Sequence, residues 1–408
     1  MPYQIVEIEL SGAPTPFTLT DQQDGFALVA RWRGRLAGFY MASAVAGTSV
    51  STEQLTELCS KHFGRRLLAL EIETALARRW SDARNLPAPS LSIAICTKDR
   101  AKRLARLLHS IQLVLPASRF RSTEILVVDN ASVDTATRDA VAGFKDVRYV
   151  FEPRAGLDFA RNAALRHAGG ELLAFLDDDV VVDRDWLQGL FAAWESCPDA
   201  GGFTGLVLPY KLDTEAQILF EGRGGFGRGF EPKRFHSASA DNPLHPVGAG
   251  IVGAGCNMAF DRSLLQSIGG FDEALDTGAP LPGGGDLDIF YRVLRSGRTM
   301  VYEPRYAVYH EHRESIPQLR RQDWTWGLGF MAFLVKSRRC DSALKGKQNA
   351  IIQWWLLDKL SALVGAACRL RLRELGFLAA ETWGGIVGMA GEYDRSLARV
   401  QKIRERAS

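Results

Sequence analysis

FLDDD, Phe175 to Asp179, ends an apolar run in three consecutive carboxylates. Bringing at least two negative charges to one point is unfavourable unless a cation neutralises them. Side chains two apart in an extended chain share a face, so Asp177 and Asp179 are expected on one side and Asp178 on the other. An oxygen-only set suits Mg2+ or Mn2+ and leaves positions for substrate phosphates. The plainer reading is a group of acids at the start of the helix RDWLQGLFAAW, but Asp183 and Asp185 already serve that purpose. VVDNAS puts Asp129 at the end of another apolar run. A carboxylate there can accept hydrogen bonds from a nucleobase or ribose, and it is equally ordinary as a turn residue. EPRAGLDFARN sets Arg154 ahead of Gly156 and a helix with Arg161 on its second turn, the makings of an anion site.

The elements that must hold these residues alternate. From Leu91 the chain reads LSIAIC then RAKRLARLLHSIQ, EILVVD then DTATRDAVAGF, VRYVFE then GLDFARNAALRHA, and ELLAFLD. Apolar strands alternating with helical segments predict a parallel sheet with crossover helices, whose ligands bind at the carboxyl ends of the strands. Those ends carry Thr97, Asp99 and Arg100, then Asp129, then Arg154, then Asp177 to Asp179. Ahead of them, short apolar runs broken by turns and a helical stretch from Thr52 to Trp80 read as a small β-rich unit, with the linker NLPAPS at its end. Gly201 to Tyr309 is glycine-rich and irregular and supplies the other wall of the site, and beyond Ser315 the chain turns helical.

IAICTKDR, VVDNAS, EPRAGLDFARN, FLDDD, GAGCNMAFDR, GGFDEAL, GGGDLDIFYR and YHEHR, in this order and spacing, resemble a family 2 glycosyltransferase of the inverting, GT-A type over about residues 91–315. The resemblance implies an α/β fold: a GT-A, Rossmann-like nucleotide-binding domain over 91–315, a β-rich accessory domain over 1–85 and a helical C-terminal region over 316–408. It implies a nucleotide diphospho-sugar donor, a glycan or lipid-linked acceptor, and Mn2+ or Mg2+ as cofactor. Thr97 and Asp129 fall where the family contacts the nucleoside, Arg161 on the nucleotide, Asp177 near the ribose and Asp179 on the metal, with Asp177 as its partner there. Asp99, Arg100, Arg154, Gly156 and Asp178 complete the expected donor cradle.

GGGDLDIFYR resembles the family's Glu-Asp-x-Asp loop, whose first aspartate is the catalytic base, here Asp286. Gly285 stands in the glutamate position, which bears on acceptor choice, and Asn257 and Asp288 join it on the expected acceptor side. Read plainly, Asp286 is the N-cap of the helix DLDIFYRVLRSG behind a glycine turn, and both readings can hold at once. In YHEHR, His310 and His312 share a face of an extended segment, and one of them, with His310 favoured, is expected to complete the metal shell as a histidine does in some relatives.

Composition narrows the rest. Fifty Lys plus Arg against forty-seven Asp plus Glu leave +3, too balanced for non-specific nucleic-acid binding. Six scattered cysteines with no CxxC argue against a zinc ribbon or a disulfide scaffold and point to a reducing cytoplasm. MPYQIVEIELSG has acids where a signal peptide needs a basic start. A nucleotidyltransferase would carry a glycine-rich loop after its first strand, which IAICTKDRAKRL lacks, and an aspartyl-phosphate phosphatase would carry its aspartates after the first strand, not the fourth. A non-enzymatic, sugar-nucleotide-binding or scaffolding subunit remains as the alternative, with Gly285 in its favour. No segment is expected to span a bilayer. Ile351 to Tyr393, apolar with interspersed charge, is expected to lie on the cytoplasmic membrane face or to pack as a core or oligomer interface.

Overall fold

The computed structural model describes residues 2–79, 87–238, 242–275 and 281–407. Trp80 and the first residues of the expected linker, 85 and 86, lie outside them. The chain begins with β1 (Tyr3–Glu9), β2 (Phe17–Thr18), β3 (Gly25–Trp32), β4 (Arg35–Ser43), β5 (Ser49–Val50) and α1 (Thr52–Arg79). β1 runs parallel and β4 antiparallel to β3, and β2 pairs with β5. The two-residue period of β3 decides its partners. Phe26, Leu28 and Ala30 face Leu55, Cys59 and Phe63 of α1, whereas Val29 faces Leu206, Leu208, Tyr302 and Ala307 of the following unit. The N-terminal unit therefore shares a core with the rest of the chain.

Next come β6 (Ser90–Thr97), α2 (Ala101–Val114), β7 (Ser122–Asn130), α3 (Ala136–Ala142), β8 (Val147–Glu152), α4 (Leu157–His167) and β9 (Leu172–Asp177). The four strands are parallel in the order β8-β7-β6-β9, so the strand order reverses between β6 and β9, at the place where such sheets bind ligands. Helix spacing explains the covering: Leu104, Leu107, Leu108 and Ile111 lie on one stripe of α2 and are all buried.

The sheet then becomes mixed. β10 (Val180–Val182), α5 (Trp186–Ser196), β11 (Gly202–Pro209), α6 (Glu215–Gly222), β12 (Lys233–Phe235), β13 (Asn257–Asp261), α7 (Arg262–Ser267), α8 (Gly285–Arg295) and β14 (Met300–His310) follow in turn. From β9 the sheet continues β13-β11-β14-β10, with β12 also on β14. β13 is antiparallel to both neighbours, and β10 and β12 are antiparallel to β14. One face is packed by α2, α3 and α5, the other by α4, α7 and α8.

α9 (Ile316–Cys340), α10 (Lys345–Cys368), α11 (Leu372–Val387) and α12 (Tyr393–Ala407) complete the chain. Ser315 opens α9 with a capping box to Gln318. Backbones approach closely where α9 crosses α11, since a Cβ on Gly327, Gly384 or Gly388 would strike the facing helix. α9 also fixes the start of α8: a Cβ on Gly284 would lie 2.7 Å from the Gly329 carbonyl oxygen, and Gly284 itself has φ +104°, a conformation that favours glycine. One expectation is corrected here. Among the described residues the helical stretch Ser342–Cys368 is long and apolar enough to cross a membrane by length and composition, and only 17% of its most apolar window is buried. Asp358 and Lys359 occur side by side there, and Lys359 is neutralised by Glu381 at 2.8 Å, so the charges interrupt the apolar surface less than the sequence implies.

Candidate active site

β6 and β9 end side by side, with Cys96 opposite Asp177, and this register brings the polar residues together. Thr97 Oγ1 donates to Asp178 Oδ2 at 2.6 Å across the point where the strand order reverses. β9 stops at Asp177, and Asp178 and Asp179 form a turn. The expected alternation therefore ends one residue early. Asp177 is partly exposed and lies 3.9 Å from Arg161, whereas Asp178 and Asp179 are both buried and share the Arg100 guanidinium at 2.9 and 3.5 Å. Burial raises the Asp178 carboxyl above its ordinary range, against the pull of Arg100.

Asp179 has a different neighbour. β10 pairs with β14 so that Val180 lies opposite His310, and the imidazole Nε2 comes to 3.4 Å from Asp179 Oδ1. That oxygen is buried and has no hydrogen-bond partner, a costly state for an anionic acceptor. Burial drives the His310 pKa well below its usual value, so the ring is neutral and able to offer a lone pair. Two ligands at roughly right angles, each ~2.1 Å from a small divalent cation, would lie ~3 Å apart, so Asp179 and His310 fit such an ion. Asp177 does not join them: among the described residues no group of three or more His, Cys, Asp or Glu forms a metal cluster. The turn that carries Asp179 inward leaves Asp177 behind on its strand, beside Arg161.

The other wall is set by α8. Asp286 is not the N-cap, as a plain structural reading had it; Gly284 is, and Asp286 sits in the first turn with its side chain partly exposed. Gly255 fits between it and Arg161: a Cβ there would lie 3.2 Å from Asp286 Oδ2 and 3.4 Å from Arg161 Nη2. Wholly buried Cys256 marks the point around which the carboxylates gather. Its thiol is held well above the ordinary range, first by burial and then by the charges of Asp177, Asp179 and Asp286. Arg228, from the glycine-rich loop after α6, donates to the Gly250 carbonyl at 3.1 Å, and its charge interacts with Asp286.

On the nucleoside side, Asp129 is buried, accepts from the Tyr149 hydroxyl through Oδ2 at 2.7 Å, and has no partner for Oδ1. Gly156, at φ +147°, precedes α4 and donates its N–H to Asn130 Oδ1 at 2.8 Å. Arg161 is buried and bonds Asp158 at 3.0 Å. Asp99 bridges the loops after β6 and β7, accepting from the Val133 N–H at 3.0 Å and donating its own N–H to Ser132 Oγ at 3.1 Å.

Three expected contacts are not brought to the site. Arg154 folds back onto Glu152 with two bonds of 2.7 Å, because the two residues flank one bend at the end of β8. Asn257 is in the core, accepting from Trp186 Nε1 at 3.0 Å and donating to the Tyr306 carbonyl at 2.7 Å. Asp288 lies on the buried side of α8, paired with Arg292 at 2.7 Å and Lys336 at 2.5 Å. Asp183 binds Arg31 of β3 and still accepts the Asp185 N–H through Oδ1 at 3.0 Å just ahead of α5, while Asp185 holds the N-cap position without a side-chain cap bond. Gly255, Arg228 and Glu221 are the site residues that sequence reasoning missed. The glycine-rich patterns around Gly255 and Arg228 marked loops without naming a role, and nothing near Glu221 distinguished it.

Parallel strands with acids at their switch point, continued by a mixed sheet and faced by a carboxylate at a loop-to-helix junction, make an α/β fold of GT-A architecture. Residues 92–267 match the model of the family described as Glycosyl transferase family 2, and the chain carries a glycosyltransferase domain similar to those of that family. It is similar, at 28% identity over 391 residues, to the pre-mycofactocin glycosyltransferase of Mycobacterium tuberculosis, across 90% of this chain and 76% of that one. It is also similar, at 27% identity over 249 residues, to the succinoglycan biosynthesis protein ExoM of Rhizobium meliloti, across 58% of this chain and 72% of that one. A mannosyltransferase of Pyrobaculum calidifontis, solved in complex with GDP-Man and Mn2+, aligns with a TM-score of 0.48 at 19% identity, covering 81% of this chain and 97% of that chain.

Proposed function

We propose that the chain transfers a sugar from a nucleotide diphospho-sugar to an acceptor hydroxyl with inversion at the anomeric carbon, and that Asp179 and His310 hold a divalent cation, Mn2+ or Mg2+. The observation that carries this reading is the buried, unpartnered Oδ1 of Asp179 facing a neutral imidazole nitrogen at 3.4 Å. When bound, the cation supplies electrostatic stabilisation of the charge that develops on the departing diphosphate.

The chain's own residues do the remainder. Asp129 Oδ1 accepts from the nucleoside, and Thr97 and Arg100 hold the Asp178–Asp179 turn in place. Asp286 takes the proton of the attacking hydroxyl; a carboxylate suffices because the proton moves as the new bond forms. One displacement inverts the centre, and no carboxylate nucleophile is needed. With Asn257 and Asp288 buried elsewhere and Gly285 buried in the first turn of α8, the acceptor meets Asp286, the side-chain-free backbone of Gly255, and Arg228. Glycans and lipid-linked hydroxyls are the acceptor classes to try. Pre-mycofactocin joins them, because the relative named for it aligns with 90% of this chain.

Thermal denaturation against a panel of nucleotide diphospho-sugars, each with and without Mn2+, tests the donor reading. A ligand that binds only the folded state raises the transition by mass action, and the true donor is expected to do so with Mn2+ present. No shift with any member of a full panel overturns it. Turnover with that donor then excludes a subunit that binds sugar nucleotide without using it.

A further inference from the structure

Resting on the reading that Asp179 and His310 hold a cation, we propose that Glu221 and His312 are positioning residues: a hydrogen-bond relay, Glu221–His312–His310, fixes the His310 tautomer so that Nε2 is the bare nitrogen facing Asp179. The order of contacts determines the protons. His312 Nε2 lies 2.7 Å from Glu221 Oε1, and a carboxylate can only accept, so Nε2 donates. A neutral imidazole has one N–H, which leaves His312 Nδ1 as an acceptor. The Nδ1 to Nδ1 contact of 2.9 Å then requires His310 Nδ1 to donate. His310 Nε2 is left with its lone pair, toward Asp179 Oδ1.

A doubly protonated His312 would reverse the last steps and place a proton on His310 Nε2, aimed at Asp179. The contact there is not a hydrogen bond, for Oδ1 has no hydrogen-bond partner at all. A proton on Nε2 would therefore gain no acceptor there, whereas bare lone pairs on both atoms suit a cation between them. The fold builds the relay deliberately. α6 brings Glu221 up while Gln217 Nε2 donates to the His312 carbonyl at 3.3 Å. Gly225, at φ +49°, leaves space for the carboxylate: a Cβ would lie 2.5 Å from Glu221 Oε1. Phe220 packs on His312 with ring centroids 4.6 Å apart and Phe226 on His310 at 5.2 Å, so both imidazoles are shut away from water.

Outer groups that orient a metal-bound histidine typically change metal affinity 10- to 100-fold when removed. Two measurements on the full chain test the relay. Imidazole 15N spectra of the metal-free protein, with the His310 signals assigned by their loss in His310→Gln, should show the proton on Nδ1 in the wild type and on Nε2 in His312→Phe and Glu221→Ala. Calorimetry of Mn2+ in the presence of inorganic pyrophosphate should show affinity weaker by about 10- to 100-fold in both variants. A wild-type His310 carrying its proton on Nε2, or unchanged Mn2+ affinity in folded His312→Phe and Glu221→Ala, overturns the relay. A wild type that binds no Mn2+ under these conditions overturns the metal reading beneath it, and the tautomer spectra then decide the relay by themselves.

Discussion

The charges of Asp179 and Asp286 both act on the buried thiol of Cys256, yet their surroundings suit them to the different work proposed for each. Asp179 is buried, with Arg100 on one oxygen and His310 near the other, which suits it to hold a cation and not to take a proton from an acceptor. Asp179→Ala is expected to remove the Mn2+-dependent part of nucleoside diphosphate binding while the fold survives, because Arg100 retains Asp178. Calorimetry with and without Mn2+ measures it; metal-dependent affinity equal to wild type in a folded variant removes Asp179 from the metal site. Asp286 is partly open and lies against a glycine that keeps its carboxylate clear. Asp286→Asn preserves shape and removes the proton acceptor, so turnover should drop by about 10²- to 10⁴-fold with donor affinity largely kept. Near-normal turnover would move the base elsewhere, and Asp288 would not inherit it, being tied to Arg292 and Lys336. At this scale the sequence disclosed the carboxylates, because three consecutive acids at a strand end have few explanations. It did not disclose Glu221 or Arg228. Their roles arise from a loop folding back over β14, and no local spacing encodes such a contact.

Among the elements, the strand–helix alternation from β6 to β9 was legible since each strand and helix carries its own period. Strand direction after β9 was not, because long irregular connections impose no crossover rule. The join between the N-terminal unit and the rest was hidden for a similar reason. β3 is buried on both faces, and its second face reads only as further apolar character. Arg31 is the polar part of that join: its side chain is 3% exposed, and it binds Asp183, the Tyr309 hydroxyl at 3.0 Å and Glu7 at 2.9 Å. Asp183 and Tyr309 flank β10 and the end of β14, the two strands that carry Asp179 and His310. Removing one partner of a buried pair leaves the other charge uncompensated, at a typical cost of ~3–5 kcal/mol. Arg31→Ala should therefore lower unfolding stability by about that amount in a urea titration and weaken Mn2+ binding with it. Arg31→Ala with wild-type stability and wild-type Mn2+ affinity would mean that the N-terminal unit does not brace the turn that carries Asp179.

For the molecule as a whole, charge and apolar surface are segregated. Eighteen basic against ten acidic side chains lie from Arg305 to Ser408, so this part carries +8 while the chain carries +3. The same region exposes Trp354, Leu357, Leu360 and Val364 on α10, Leu370 and Leu372 at the turn into α11, and Trp383 on α11. Arg369, Arg371 and Arg373 alternate with the two turn leucines. A core helix would hide these side chains, and a freely exposed one would not be expected to gather them with arginines at one tip. Aromatic side chains favour the headgroup level, and each basic residue near an anionic surface contributes about 1 kcal/mol. We therefore expect the full chain to co-sediment with vesicles containing phosphatidylserine at low salt and to be released as salt rises, since surface attraction falls within a Debye length. Leu357→Glu with Leu370→Glu should abolish co-sedimentation and leave turnover on a soluble acceptor intact, both side chains being exposed. Protein that stays in the supernatant at low salt, and runs as a dimer that the same two substitutions dissociate, would assign this face to a second copy of the chain and refute the membrane reading.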